Sequence, residues 1–334
     1  MKKLQSQWTH REKAFSAFVT GPLLSFWRQR QERHFLGKDG VTIRYVRLTS
    51  PSHKKAIMIV PGRSESYVKY PELAWDLFNC GYDIFIVDHR GQGLSDRLLE
   101  DSQLGHVVQF SDYVDDLSQL CQLELPEGRY QQKFALAHSM GGAIVTLLSQ
   151  RHPTLFTATA LVAPMFGIVL PMPEWVVERI LNWTAMRPHL REGFAFGTGR
   201  WHATPFGINT LTHSRVRYQR TIRFYADQPE LQLGGPTTHW VREAMFTGRY
   251  IESIASELKH PVLLLQASDD QVVDNQAQNR FALARMLSGS PCYGDHPQVM
   301  EGARHEILFE KDEIRAAALQ MITEYFLTFQ SNTL

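Results

Sequence analysis

The stretch FALAHSMGGAIVTLL (residues 134–148) joins two apolar runs through the short segment HSMGG. The first run predicts a buried strand and the second predicts a helix. Ser139 then lies at the turn between strand and helix, where a nucleophile elbow exposes its serine hydroxyl. A serine that only caps the helix would give the same local pattern. The stretch therefore nominates Ser139, but any chemistry depends on partners elsewhere in the chain.

Apolar runs of the same kind recur at residues 56–62, 83–91, 133–139, 158–164 and 261–268. They are apolar throughout rather than alternating, which is typical of strands that are covered on both faces. The stretches between them have the spacing of amphipathic helices. This alternation predicts an α/β fold with a mostly parallel, doubly wound sheet.

The strand-like runs stop between about residues 165 and 250, where aromatic residues and arginines become frequent. We predict that 165–250 is a helical cap inserted into a core made of 34–164 and 251–334. Its aromatic residues either cover a site or fill the core of a small helical subdomain.

Residues 1–33 form a basic arm in which cations alternate with apolar side chains, namely Trp8, Phe15, Phe18, Val19, Leu23, Phe26 and Trp27. This pattern predicts an interfacial helix that contacts an anionic membrane from the cytoplasmic side. An arm packed on the core is the alternative.

The composition excludes several classes of protein. The 35 Lys and Arg residues balance 34 Asp and Glu residues, for a net charge of +1, so nucleic-acid binding is disfavoured. Cys80, Cys121 and Cys292 are far apart, which favours a reducing cytoplasm and no disulfide framework. We see no secretory signal, cofactor fingerprint or metal-ligand cluster, and we expect neither a cofactor nor a metal.

A serine hydroxyl needs a histidine base and an orienting acid, and after an elbow the expected chain order is acid and then histidine. One strand-like run ends before Asp269 and Asp270, and another, QVMEGA, ends shortly before His305. Both sites lie at the strand ends where α/β sheets bind ligands. We select Asp270 as the acid, with Asp269 and Asp274 as alternatives.

Ester hydrolysis also requires backbone donors for the oxyanion, one after the serine and one after an earlier strand. The amides of Met140 and Arg63 occupy these positions, and Gly62 permits the turn before Arg63. Alternatively, Gly62 only forms an ordinary turn and has no part in an oxyanion site.

Five motifs together resemble the α/β-hydrolase superfamily and, within it, the monoacylglycerol lipase branch: PGRSESYVKY (61–70), DHRGQGLS (88–95), AHSMGG (137–142), LLLQASDD (263–270) and ARHE (303–306). Cap segments such as APMFGI, GTGRW and GGPTTHWVRE look, more closely, like those of the proteobacterial inner-membrane lysophospholipases. Ala137 stands in place of the first glycine of G-x-S-x-G, where a small side chain is sufficient.

The resemblance implies an α/β-hydrolase fold with Ser139 as nucleophile, Asp270 as acid, His305 as base, and the Arg63 and Met140 amides as oxyanion donors. It implies cleavage of the acyl ester of a lysophospholipid through an acyl-serine, giving a fatty acid and a glycerophosphodiester. The alternatives are a monoacylglycerol lipase, a general carboxylesterase and, from another class, a catalytically silent protein that binds lipid or a partner.

Pro61 and Arg63 depart from the lipase branch, which usually has a histidine and a small or apolar residue there. The Arg63 side chain is therefore expected to face an anionic headgroup. Trp201, Arg215 and Trp240 are predicted to contact the substrate from the cap. Arg215 belongs to a run with Arg217, Arg220 and Arg223, which forms either a headgroup-facing stripe or a solvated helix face.

Overall fold

The computed structural model describes residues 8–329. Within them, eight strands form one sheet: β1 (Gln31–Leu36), β2 (Thr42–Leu48), β3 (Lys55–Val60), β4 (Tyr82–Val87), β5 (Gln132–His138), β6 (Ala158–Val162), β7 (Val262–Ala267) and β8 (Gln298–Met300). The strand order is β1-β2-β4-β3-β5-β6-β7-β8. The pairs β1–β2 and β2–β4 are antiparallel, and all the other pairs are parallel. The predicted mostly parallel sheet is confirmed.

The same residues contain these α-helices: α1 (Phe15–Phe18), α2 (Leu24–Trp27), α3 (Pro71–Asn79), α4 (Ser111–Glu124), α5 (Met140–Arg151), α6 (Glu174–Ala185), α7 (Pro188–Arg191), α8 (Arg215–Asp227), α9 (Thr238–Ile254), α10 (Asn275–Leu287) and α11 (Asp312–Leu327). Helices α3, α5 and α11 pack directly on the sheet. Because helices cover its faces, every residue of β4, β6 and β7 is buried, as their mostly apolar sequences predict.

Two antiparallel strands, β1 and β2, extend the sheet beyond the predicted strands. Only Phe35 of β1 is buried, because this strand lies at the sheet edge and its other side chains face outward. The boundary predicted between the arm and the core, after residue 33, falls inside this strand.

The N-terminal arm packs on the core through part of its apolar face. Trp8, Phe15, Leu23 and Phe26 are buried. The ring centres of Phe26 and of Trp75 in α3 lie 5.3 Å apart. The prediction of shallow insertion into a bilayer is therefore wrong for Trp8, Phe15 and Phe26, since burial in the protein already removes them from water. Phe18 and Trp27 are only partly buried, and membrane contact by the arm stays a prediction. Lys2 and Lys3 lie outside the described residues.

None of the helices within residues 8–329 is both long enough and apolar enough to cross a membrane.

The segment predicted as the cap is helical and lies between β6 and β7, with α6, α7, α8 and α9 as its α-helices. The predicted boundary at residue 250 falls inside α9, whose last turn belongs to the core because Ile251 and Ile254 are buried there.

Arg217 of α8 is buried in an ion-pair network, so the run of cap arginines is neither a uniform stripe nor a solvated face. Its guanidinium contacts Glu72 of α3 at 2.8 Å and Asp312 of α11 at 2.7 Å. Asp76 of α3, one turn from Glu72, pairs with Arg11 of the arm at 2.7 Å and with Arg315 at 2.6 Å. The network thus joins the arm, the cap and two core helices.

Candidate active site

Ser139 occupies a strained turn between β5 and α5, with φ of 51° and ψ of −118°. Such a conformation is rare for a residue with a side chain and costs on the order of 1–3 kcal/mol. Two glycines make the turn possible. A Cβ at Gly141 would lie 2.1 Å from the carbonyl oxygen of Val60, and one at Gly142 would lie 2.7 Å from the Pro164 side chain. Gly141 therefore allows the first turn of α5 to pack closely on the end of β3, and Gly142 allows the same turn to approach Pro164.

His305 lies between Ser139 and Asp270. Its Nε2 accepts a hydrogen bond from the Ser139 hydroxyl at 3.0 Å, and its Nδ1–H donates to Asp270 Oδ2 at 2.7 Å. The structure thus brings the three predicted residues into one chain of hydrogen bonds. Asp269 is exposed, and Asp274 instead caps α10 by accepting from the Gln276 amide.

The Asp270 carboxylate is held by the turn that follows β7. Its Oδ1 accepts from the amides of Val272 at 2.8 Å and Val273 at 3.0 Å, while Oδ2 faces His305. Burial alone would raise the pKa of Asp270, but the hydrogen bond and the charge of His305 outweigh burial and hold the pKa below its ordinary value. The group is therefore an ionised acceptor that fixes the histidine tautomer.

The two predicted oxyanion donors lie at the start of α5 and in the loop after β3. Met140 begins α5, and Arg63 follows Gly62 directly after β3. Within the described residues, neither the Met140 nor the Arg63 amide has a protein acceptor. Gly62 approaches so closely that a Cβ there would lie 3.1 Å from the Ser139 Cβ. Both amides are thus available near the nucleophile, as an oxyanion site requires.

A cavity of about 550 Å³ opens onto Ser139 and His305 between the core and the cap. Its size lies within the range of about 300–1,000 Å³ that is usual for small-molecule sites. Three of the residues predicted to contact substrate line it: Arg63, Trp201 and Trp240. Arg215 does not. It is exposed on the outside of the cap, with its guanidinium over the Phe206 ring.

The Arg63 guanidinium lines this cavity without a carboxylate partner. It donates to the carbonyl of Gly234 at 2.7 Å and to the Ser64 hydroxyl at 3.1 Å, and it lies 5.2 Å from the centre of the Trp240 ring. Its Nε is buried, and within residues 8–329 no atom accepts from it. Burial lowers the pKa of Arg63 to about 10, so the guanidinium carries an uncompensated charge at neutral pH.

A buried polar cluster beneath the site was not predicted. Glu65 Oε2 accepts from the Gly62 amide at 2.5 Å and from His138 Nδ1 at 3.1 Å, and Glu65 Oε1 lies 2.5 Å from Lys69 Nζ. Lys69 also pairs with Glu306 at 2.6 Å. All of these residues stand within or beside the quoted motifs, and the i, i+4 spacing of Glu65 and Lys69 is the sequence signal for their pair.

His138 in this cluster is an imidazolium. Its Nδ1 faces the Glu65 carboxylate and its Nε2 faces the carbonyl of His305 at 3.2 Å, so both ring nitrogens must donate. Burial would lower the pKa of His138, but the charge of Glu65 outweighs burial and raises it. For Glu65, burial would raise the pKa, and the charges of Lys69 and His138 hold it well below its ordinary value.

The fold, the strained elbow and the Ser139–His305–Asp270 geometry define a serine hydrolase of the α/β-hydrolase class. The family Hydrolase_4, described as serine aminopeptidase, S33, matches residues 51–312. The chain belongs to this family, and the predicted superfamily and enzyme class are confirmed.

Similar proteins extend over nearly the whole chain. The sequence is 53% identical over 326 residues to lysophospholipase L2 of Escherichia coli (strain K12), covering 98% of this chain and 96% of that protein. It is 31% identical over 325 residues to the probable lysophospholipase L2 of Haemophilus influenzae, covering 96% and 99%. A soluble variant of monoglyceride lipase from Saccharomyces cerevisiae matches with a TM-score of 0.68 at 16% identity, covering 90% of this chain and 96% of that one, and shows the fold alone.

Proposed function

We propose that this protein hydrolyses the acyl ester of lysophospholipids, releasing a fatty acid and a glycerophosphodiester. Relatives named lysophospholipase L2, similar over nearly the whole length, support the reaction. The observation that carries the substrate assignment is the Arg63 guanidinium, which has no carboxylate partner in the cavity that contains Ser139.

In the first half of the reaction, Ser139 Oγ attacks the ester carbonyl as its proton passes to His305 Nε2. Asp270 stabilises the imidazolium that forms. The carbonyl oxygen becomes an oxyanion held by the amides of Arg63 and Met140. The bond to the glycerol oxygen then breaks, and His305 gives its proton to the departing alcohol. The acyl group stays on Ser139 as an ester.

In the second half, a water molecule gives a proton to His305 and attacks the acyl-serine carbonyl. The same two amides hold the second oxyanion. When the bond to Ser139 Oγ breaks, His305 returns the proton to the serine, and the fatty acid leaves. His305 accepts and donates every proton that the two halves of the reaction transfer, so the proposed cycle needs no metal or cofactor.

Arg63 is assigned to the phosphate of the headgroup. A buried cation without an anionic partner is costly, and a bound phosphodiester would supply the missing charge through a planar, charge-assisted contact. A neutral monoacylglycerol would leave the guanidinium unpaired. The apolar side chains of Ile168, Ile222 and Val273, in the same cavity, suit the acyl chain.

The test compares hydrolysis of lysophosphatidylethanolamine with that of monoolein in the same detergent. Arg63→Met keeps the backbone amide, so we expect kcat/KM to fall for the phospholipid and to change little for the glyceride. Arg63→Lys, which keeps a charge, should retain part of the preference. An unchanged ratio in Arg63→Met would contradict the headgroup assignment, and a wild type that prefers monoolein would favour a monoacylglycerol lipase.

We also propose that the enzyme works on the cytoplasmic face of the inner membrane, in peripheral contact with anionic lipid. A long-chain substrate resides in a bilayer, and exposed cations such as Lys13 and Arg28 on the arm favour anionic lipid. Membranes isolated from cells should carry the protein, and high salt should release it. Recovery only in the soluble fraction at low salt would contradict this location.

A further inference from the structure

A second cavity lies between the arm and the cap helix α8. It is a groove of about 700 Å³, and residues 12–17, 19 and 20 of the arm form one of its walls. Helix α8 separates the two cavities. Val216, Arg220 and Phe224 line the groove, whereas Thr221 and Ile222 line the catalytic cavity.

The floor of the groove is apolar. Phe15, Ala17 and Val19 contribute to it from the arm, and Val216 and Phe224 contribute from α8. A floor of this kind suits a hydrocarbon chain, since covering it removes apolar surface from water.

Three cations line the same groove: Lys13, Arg220 and Arg223. Within the described chain, none of them has an ion-pair or hydrogen-bond partner among the side chains. Arg220 lies against Phe224, with its guanidinium 4.7 Å from the ring centre, and its Nε is buried without an acceptor. Burial also lowers the pKa of Arg220.

The carboxylates in the lining do not neutralise these cations. Glu12 is committed to the Ser214 hydroxyl and the Asp312 amide, and it lies 3.6 Å from Arg217. Asp227, at the end of α8, is exposed and is the one uncommitted carboxylate among the residues that form the groove. The groove therefore combines a net positive charge with an apolar floor.

We propose that this groove binds one anionic phospholipid molecule, with its phosphate at Arg220 and Arg223 and part of an acyl chain over Phe15 and Phe224. Free inorganic phosphate would use the cations but leave the apolar floor exposed. A lipid uses both, and it would seat the enzyme on an anionic bilayer even though Trp8, Phe15 and Phe26 of the arm are buried. The inference deepens the membrane contact proposed above, but it does not rest on the proposed hydrolysis, because the groove contains none of the catalytic side chains.

The test measures co-sedimentation with vesicles of phosphatidylcholine, with and without phosphatidylglycerol. Two groove variants remove the charge or the space: the double variant Arg220→Gln/Arg223→Gln, and Ala17→Trp, which fills the floor. We expect the double variant to bind the anionic vesicles about 30-fold more weakly than the wild type, and Ala17→Trp to bind them more weakly while keeping every charge.

Matched controls separate a site from diffuse charge. Arg179→Gln/Arg215→Gln removes the same charge from exposed cap positions outside the groove, and Ser25→Trp adds the same ring to an exposed arm position. Both should bind as the wild type does, and so should Ser139→Ala. Unchanged turnover of a soluble short-chain ester shows that each groove variant is folded and that its catalytic site is intact.

Equal binding by the wild type and both groove variants would overturn the proposal, as would an equal loss in the charge-matched control. Displacement from vesicles by inorganic phosphate, but not by chloride of equal ionic strength, together with normal binding of Ala17→Trp, would indicate a free-phosphate site instead. A dimer that Ala17→Trp dissociates would show that a second copy of the chain fills the groove, and this too would overturn the lipid assignment.

Discussion

Glu65 Oε2 lies 3.1 Å from His138 Nδ1, directly beneath the turn that carries Ser139. Through this contact the Glu65 carboxylate connects the loop of the oxyanion donor to the backbone of His305. Glu65 holds the Gly62 amide at 2.5 Å, just before the oxyanion donor Arg63, and His138 holds the carbonyl of His305 at 3.2 Å. The pair therefore positions a backbone donor and the base relative to each other.

Glu65→Gln should lower kcat by about 100-fold with little change in KM, because it loosens the oxyanion loop and the His305 backbone rather than the substrate pocket. Steady-state kinetics on a soluble short-chain ester measure this split. Glu124→Gln is the control. Glu124 forms a partly buried ion pair with Arg47, outside the active site, so this variant should keep full activity. A KM effect alone, or wild-type kcat in Glu65→Gln, would count against a positioning role.

Asp270→Asn should reduce kcat by up to about 10⁴-fold, because an amide no longer fixes the His305 tautomer or stabilises its imidazolium. Asp269→Asn is the matched control, since the neighbouring side chain is exposed and should be dispensable. Single-turnover rates on a chromogenic ester distinguish the two variants. Comparable losses in both, or a loss confined to Asp269→Asn, would assign the acid differently.

Glu72→Gln should lower the free energy of unfolding by about 3–5 kcal/mol at pH 7, because it leaves Arg217 and Arg315 buried with too little negative charge. Urea denaturation measures the change. Glu252→Gln, in an exposed pair with Arg280, should cost no more than about 1 kcal/mol. Equal stability of Glu72→Gln and the wild type would contradict the importance of the network.

The same carboxylate predicts a pH dependence. Burial would raise the pKa of Glu72, but the charges of Arg315 and Arg217 outweigh it, so the folded-state pKa lies well below the ordinary value of about 4.3. Its contribution to stability is therefore present above about pH 4.3 and is lost as the pH falls through the folded-state pKa. The stability difference between the wild type and Glu72→Gln should shrink progressively below pH 4. A difference that widens on acidification would refute this assignment.

The central strands were predictable from sequence because they are buried on both faces and are apolar at nearly every position. β1 was not, since QERHFL buries only Phe35 and has the composition of an exposed segment. β2 carried only a partial signal: in TIRYVRL, Ile43, Tyr45, Val46 and Leu48 are buried, but Arg44 and Arg47 interrupt the apolar run. A short run that charged residues interrupt is weaker evidence for a strand than a continuous apolar run.

Ser139 and His305 were predictable because each follows a strand in the expected chain order. The choice among Asp269, Asp270 and Asp274 was not decided by sequence, because it depends on which way the turn after β7 directs each side chain. Two backbone amides aim Asp270 at His305.

Arg217 shows a second limit of sequence. Its i, i+3 neighbours suggest one polar face, but its partners Glu72 and Asp312 lie far away in the chain. Ion pairs of this kind form only when the cap, the core and the arm come together, so the local pattern cannot predict them.

The most direct measurement titrates the enzyme with a fluorophosphonate and compares lysophosphatidylethanolamine hydrolysis with the modified fraction of Ser139, determined by peptide mass spectrometry. We expect hydrolysis to fall linearly and to vanish when every Ser139 carries the label. Hydrolysis that persists with Ser139 fully modified would contradict an acyl-serine mechanism at this site.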